Sequence, residues 1–137
     1  MKQDAAAPIV EARSSADFAT TFARITAKIE SAGMAVVASV DHSAAARAAR
    51  LAMPPTILIL YGNAANGTPL MLAAPRAALD LPLRVLVREA PDGRVLVAFH
   101  PAEPLLLAAG VPPELSGRLA PAQQMLIDAV GPATIPV

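Results

Sequence analysis

Cysteine and tryptophan are absent from this 137-residue chain, and its aromatic residues are only three phenylalanines and one tyrosine. Without cysteine the chain can form no disulfide, thiol nucleophile or cysteine-ligated metal site. Eleven basic residues balance eleven acidic ones, so no basic field attracts nucleic acid or an acidic membrane surface. So few rings also argue against a base-stacking platform. We therefore predict neither a nucleic-acid partner nor a membrane partner.

Apolar residues are abundant, at 55% of the chain, yet no apolar run approaches the roughly 20 residues that cross a bilayer. The length predicts a single domain, which we place at residues 8–130, with a disordered segment at 1–7 and a C-terminal tail at 131–137. Because so apolar a chain has little polar surface, we also predict a homodimer that buries one face. No hydrophobic leader follows Met1, which favours a cytoplasmic location, or a secreted or periplasmic one if a signal peptide had been removed.

Short apolar or alternating runs predict five strands, at residues 9–12, 34–40, 56–61, 83–89 and 94–99. The second run holds three valines, which is typical of a buried strand. A turn at residues 91–93 predicts that the last two strands form a hairpin. Because helices separate the first strands, we expect some parallel pairing. The predicted fold class is α+β, a two-layer α/β sandwich with a mixed sheet of four or five strands and helices on one face.

Capping residues locate the predicted helices. The first starts at Phe18 and ends before Gly33, a residue suited to the left-handed conformation after a helix. Asp41 can cap a second helix at residues 43–52, because its carboxylate accepts from free N–H groups at a helix start. Thr68 predicts a third start, with a turn-rich loop before it and a short helix at 70–74 after it. Further helices are predicted at 101–109 and 114–130.

Five short motifs follow one another in a distinctive order: Asp41-His42, Pro54-Pro55-Thr56, Gly62-Asn63, Gly67-Thr68-Pro69-Leu70-Met71 and Ala78-Leu79-Asp80-Leu81-Pro82-Leu83-Arg84. Their order and spacing resemble the domain of unknown function 302 family, over residues 9–130. The resemblance implies a small two-layer α/β fold, a dimer and a bacterial or archaeal source, and it implies no reaction. The family pattern Phe-Gly-Asn-Pro differs from this chain at Tyr61 and Ala64.

Asp41-His42 stands between a predicted strand and a predicted helix, a place where α/β folds commonly bind ligands. His42 is the candidate catalytic residue, as a general base beside Asp41 or Asp80. The alternative is that Asp41 only caps the helix and His42 is an exposed first-turn residue. A metal site would also need His100, and since no short ligand spacing joins these residues we predict no metal and no cofactor.

Two further groups are candidates for ligand binding. Asn63 and Thr68 border a polar turn whose backbone N–H groups could bind an anion, or which could be only an Asx turn leading to a threonine cap. Asp80 and Arg84 could clamp a polar ligand, or could only pair with each other, with the loop or with a dimer partner.

The leading hypothesis is a small soluble domain that binds a small polar or anionic molecule at one end of the sheet. The predicted ligand-binding residues are His42, Thr56, Asn63, Thr68, Asp80 and Arg84, which we expect to converge there with Asp41. One alternative is an enzyme that uses His42 as an acid or base. Another is a structural or interaction module that acts as a homodimer.

Overall fold

A computed structural model describes residues 8–130 and the backbone of Ile135–Pro136. The strands are β1 (Val10–Arg13), β2 (Ala35–Asp41), β3 (Thr56–Gly62), β4 (Leu83–Glu89), β5 (Val95–Phe99) and β6 (Ile135–Pro136). They form one sheet in the spatial order β2-β3-β4-β5-β1-β6. The segment predicted as disordered, residues 1–7, lies outside the described residues. The predicted tail contributes β6, which pairs with β1.

The described helices are α1 (Phe18–Ser31), α2 (His42–Ala48), α3 (Ala64–Ala73), α4 (Ala102–Ala108), α5 (Pro113–Ser116) and α6 (Ala120–Ala129). A short 3-10 helix, Pro75–Asp80, stands between α3 and β4. The capping rules account for α1, since the carboxylate of Asp17 accepts from the backbone N–H of Thr20 at 2.8 Å. Hydrogen bonds from Thr20 also lower the pKa of Asp17. Just beyond the helix, Gly33 has φ +81, as predicted for a residue that ends a helix.

The α+β class is confirmed, but the predicted mixed sheet is wrong, because every pairing between described strands is antiparallel. Strands β1 and β2 do run in the same direction, yet three strands lie between them. The connection from β2 to β3, which contains the seven-residue helix α2, is not a parallel crossover, because β3 pairs antiparallel with β2. The chain turns back beside the end of β2.

The hydrophobic core lies on one face of the sheet. Alternate residues of the central strands, such as Ile59, Val85 and Val97, are fully buried against helical residues that include Ile25 and Leu126. Strand β5 is buried along its whole length. Strand β2 is the opposite case, with six of its seven residues exposed. The prediction of a buried second strand is therefore wrong, because β2 is an edge strand.

Candidate ligand-binding site

The predicted site residues lie at opposite ends of the sheet. Thr56 begins β3 and Asn63 follows its last residue, so their backbones are roughly 23 Å apart. Asp41 lies opposite Ile57, which places Asp41 and His42 at the same end as Thr56. The predicted convergence of all these residues is therefore wrong. That prediction assumed that successive strands end at the same edge of the sheet, whereas successive antiparallel strands end at opposite edges.

At the Thr56 end, the polar residues hold the β2–β3 connection together. The carboxylate of Asp41 accepts from the Ser43 hydroxyl at 2.6 Å and from the backbone N–H of Ala44 at 2.9 Å. These hydrogen bonds hold the pKa of Asp41 below its usual value, and the one from Ser43 has the largest effect. The Ser43 hydroxyl in turn accepts from the backbone N–H of Thr56 at 3.2 Å. Asp41 thus caps α2 as predicted, and its oxygens serve the fold.

His42 is exposed and borders neither of the two cavities described below. Asp80 precedes β4 at the far end of the sheet and cannot act beside it. Within residues 8–130, no three histidine or carboxylate side chains are grouped closely enough to hold a metal ion. The geometry therefore does not support His42 as a general base beside Asp80, nor a metal site that joins it to His100.

The larger cavity, of about 650 Å³, lies at the Asn63 end of the sheet, where β2 begins, β3 ends and α3 begins. Most of its lining consists of glycine, alanine, valine, leucine, methionine and proline side chains. Its polar side chains are Tyr61, Asn63, Asn66 and Thr68, and no charged residue lines it within the described part of the chain. This arrangement suits a molecule that is apolar over most of its surface.

Asn63 shapes the mouth of this larger cavity by capping α3. Its side-chain oxygen accepts from the backbone N–H of Asn66 at 2.8 Å, and its amide group donates to the carbonyl of Gly33 at 3.5 Å. Helix α3 therefore begins before Thr68, and the prediction of a helix start at Thr68 is wrong. Asparagine is a stronger N-cap than threonine, which favours the earlier start. Thr68 lies inside the helix, at the exposed side of the cavity.

Tyr61 forms part of the inner wall of the larger cavity and is fully buried. Its hydroxyl donates to the backbone carbonyl of Ala122 at 3.2 Å, which connects β3 to α6. Burial raises the pKa of Tyr61, because the charged phenolate would lose its hydration. The Tyr61 hydroxyl is thus a structural group that already has its acceptor.

A smaller cavity, of about 220 Å³, lies beside the larger one and shares two lining residues with it, Leu81 and Leu83. Asp80, Arg84 and His100 border it. Arg84 makes no hydrogen bond or ion pair with another described residue, and the predicted pairing with Asp80 is not formed.

The wall of the smaller cavity is held by Gln123, which is 3% exposed. Its side chain accepts from the backbone N–H of Ala102 and donates to the carbonyl of His100, both at 2.9 Å. The His100 ring lies 2.7 Å from the carbonyl oxygen of Pro8 through Nδ1. His100 therefore has a structural partner, whereas Arg84 is exposed and has no partner among the described residues.

Sequence reasoning identified Asn63, Thr68, Asp80 and Arg84 at this end of the sheet but missed the apolar wall between them. Met71 packs against the hydrophobic core and also lines the larger cavity. The signal in the sequence was a pair of glycines, Gly33 and Gly62, beside the ends of two strands that prove to be neighbours. Such glycines often mark a site where a ligand or another backbone comes close.

The fold and the site define the class of this protein: an antiparallel α+β sandwich with a cavity at one end of its sheet. The chain matches the family model described as Domain of unknown function DUF302 over residues 10–131, and it belongs to that family. It is also similar to the crystal structure of an uncharacterized conserved DUF302 protein from Bacillus stearothermophilus, with a TM-score of 0.77. The match covers 89% of this chain and 94% of that one at 14% sequence identity, a level at which the likeness shows the fold alone.

Other relatives are longer proteins. The chain is 46% identical over 91 residues to "Fluoride-specific ion channel FluC 1" of Brucella suis biovar 1, and equally to the protein of that name from Brucella abortus biovar 1. These matches cover 66% of this chain but only 35% and 33% of the two relatives, so the matched region is about a third of each. Within the described residues of this chain, no helix has both the length and the hydropathy of a membrane-crossing segment.

Proposed function

We propose that this domain binds a small, largely apolar molecule in the larger cavity. The observation that carries the proposal is the lining, which is apolar except for a few uncharged polar side chains at the α3 side. The volume, about 650 Å³, falls within the roughly 300–1,000 Å³ that is usual for small-molecule sites. The proposal modifies the leading hypothesis from the sequence, which was a polar or anionic ligand.

The lining favours an uncharged ligand over an anion. An apolar molecule that enters this cavity gains roughly 25 cal/mol for each Å² of apolar surface removed from water. A charged group would lose its hydration and find no opposite charge there. The side chains of Asn66 and Thr68 have no hydrogen-bond partner among the described residues. They can therefore pair with one hydroxyl, carbonyl or amide group of the ligand.

Gly67 offers a direct test, because it lines the larger cavity from within α3. A Cβ at this position would lie 3.9 Å from both Leu81 and Met71, which is ordinary van der Waals contact. Gly67→Ala should thus leave the cavity open, whereas Gly67→Leu should obstruct its α3 side. The probe is Nile red, a neutral dye that fluoresces in apolar surroundings. We expect the wild type and Gly67→Ala to bind it, and Gly67→Leu to bind it at least tenfold more weakly.

Circular dichroism and thermal melting should show that all three proteins are folded. Equal dye binding by Gly67→Leu and the wild type would contradict the proposal, as would the absence of binding to the wild type. A panel of small neutral alcohols and ketones, tested for displacement of the dye, would then narrow the ligand class.

A second candidate function is anion binding at the smaller cavity. We propose it because Arg84 is unpaired there among the described residues. The named Brucella relatives make fluoride the first anion to test. Fluorine NMR line broadening that depends on Arg84, and is lost in Arg84→Gln, would support this function. Line widths that are equal for the two proteins, and no response to phosphate or acetate, would exclude it.

A further inference from the structure

The two cavities meet at two leucines. Leu81 and Leu83 line the larger cavity as well as the smaller one, and they stand at the start of β4. Leu83 is buried, whereas Leu81 is half-buried and packs against the margin of the core. A molecule that passes these two side chains can therefore place one part in each cavity.

The smaller cavity is bordered by two opposite charges that are not paired. Asp80 carries the carboxylate and Arg84 the guanidinium. Neither forms a hydrogen bond or an ion pair with the other or with any further described residue. Because Arg84 is exposed and Asp80 is half-buried, both groups are accessible to water and to a ligand. A ligand at this cavity therefore meets a negative and a positive group together.

The other polar side chains of the smaller cavity already have partners in the fold. Gln123 uses both ends of its amide group, one with the N–H of Ala102 and one with the carbonyl of His100. The His100 ring is bonded through Nδ1 to the carbonyl oxygen of Pro8. Since a carbonyl oxygen only accepts, Nδ1 carries the hydrogen, and Nε2 of the neutral ring is an acceptor. The described lining thus leaves a carboxylate, a guanidinium and one ring nitrogen for a ligand.

We propose that the ligand is an α-amino acid with a large apolar side chain. Its side chain occupies the larger cavity, its carboxylate pairs with Arg84, and its ammonium group pairs with Asp80. The planar guanidinium matches the two oxygens of a carboxylate. This inference rests on the proposed ligand-binding function and names the chemical class of the ligand.

The two charges favour a zwitterion over a simple ion. A carboxylate alone would pair with Arg84 but would bring a second negative charge to Asp80, and an amine alone would bring a second positive charge to Arg84. A zwitterion pairs with both groups and has no net charge. Its apolar side chain meets the lining of the larger cavity, which has no charged residue within the described part of the chain, so burial of that side chain adds to the affinity.

The first test compares three molecules that share one phenyl group and one short chain. L-Phenylalanine has both charges, hydrocinnamate lacks the ammonium group, and phenethylamine lacks the carboxylate. Isothermal titration calorimetry at neutral pH should show that the wild type binds L-phenylalanine at least tenfold more tightly than either of the others, because only the zwitterion forms both charge-assisted contacts. Equal affinity for the three molecules, or no binding of L-phenylalanine, would overturn the inference.

The second test removes each charge of the protein. Arg84→Gln should weaken the binding of L-phenylalanine and hydrocinnamate at least fivefold without weakening that of phenethylamine, and Asp80→Asn should weaken L-phenylalanine and phenethylamine without weakening hydrocinnamate. Both variants should keep the wild-type melting temperature, since neither side chain has a partner in the described fold. Arg76→Gln and Glu114→Gln, exposed and outside both cavities, are the matched controls. Unchanged affinities in the first pair, or equal losses in the controls, would contradict the assignment.

The third test places the side chain and separates this inference from the proposed function. Free glycine has the same charged groups and no side chain, so it should bind at least tenfold more weakly than L-phenylalanine, and equal affinity would refute the use of the larger cavity. L-Phenylalanine should also displace Nile red from the wild type. If the dye binds and saturating L-phenylalanine does not displace it, the proposed function stands and this inference falls. If the wild type binds neither molecule, both fall.

Discussion

The substitution Tyr61→Phe tests the hydrogen bond that joins the sheet to the last helix, α6. Tyr61 is the only tyrosine in the chain, is fully buried, and donates its hydroxyl proton to the carbonyl oxygen of Ala122 in α6. Phenylalanine keeps the ring and removes this one hydrogen bond. It also restores the residue that the family pattern leads us to expect at this position.

The expected loss is about 1 kcal/mol of unfolding free energy, which is the usual net contribution of one neutral hydrogen bond. A larger loss is not expected. The carbonyl of Ala122 lies in the first turn of α6 and has a second donor four residues further along the helix, so it is not left unsatisfied. For a domain of this size, 1 kcal/mol corresponds to a decrease of about 4 °C in the melting temperature.

The pH dependence should separate the two proteins further. Because burial raises the pKa of Tyr61 in the folded state, the neutral phenol stabilises the fold fully below the unfolded pKa, about 10. This stability is lost as the pH rises, at about 1.4 kcal/mol for each unit above that value. Tyr61→Phe has no such term. The variant should therefore be less stable at neutral pH and become the more stable protein above about pH 10.6, where the lost 1 kcal/mol is recovered.

The assay is urea unfolding of both proteins by circular dichroism, from neutral pH to about pH 11. Tyrosinate absorbance follows ionisation of this single residue in the same samples. We expect absorbance to rise only as the wild type unfolds. Reversible titration near pH 10 in a protein that keeps its native circular dichroism would refute the reasoning, because it would show that the hydroxyl is hydrated. Unfolding free energies that differ by the same amount at every pH would refute it equally.

Three further predictions concern the polar contacts that hold the fold. Gln123→Ala leaves the buried N–H of Ala102 and the carbonyl of His100 without partners. It should lower the free energy of unfolding, measured in urea, by about 2–3 kcal/mol. A decrease below about 0.5 kcal/mol would contradict this prediction. Asp41→Ala should lower the melting temperature at neutral pH, and the difference should shrink as the pH falls through the lowered pKa of Asp41; a constant difference in acid would be inconsistent with the cap. Arg88→Ala breaks a half-exposed pair with Glu11 at 3.3 Å and should cost less than about 1 kcal/mol, and less still at high salt.

Local features of this chain could be predicted because their causes lie within a few residues. The β4–β5 hairpin, the Asp41 cap and the left-handed Gly33 all follow from turn and capping preferences. The start of α3 was misplaced because two capping residues competed within one turn. Asn63 prevailed, since its side chain reaches the N–H of Asn66.

The order of the strands could not be predicted in this way. A helix between two apolar runs suggests a crossover, but the residues themselves do not show whether the chain returns to the starting end of the first strand or turns back beside its last residue. In the structure the chain turns back after α2, and β2 and β3 are antiparallel neighbours. The burial of β2 depends on its place in the strand order. A valine-rich sequence does not show whether a strand lies at the centre or at the edge of a sheet.

This arrangement divides the residues of the family resemblance into two groups with different roles. Asp41 and Thr56 lie at one end of the sheet, where Ser43 forms a hydrogen bond with each of them. These residues have a structural role, because they hold the β2–β3 connection together. Asn63 and Arg84 lie at the other end, beside cavities that the fold leaves open. Capping of α3 by Asn63 does not require a cavity. The open space beside Asn63 is therefore not explained by the cap. Substitutions at Asp41 should therefore change stability with little effect on binding, whereas Gly67→Leu should change binding more than stability.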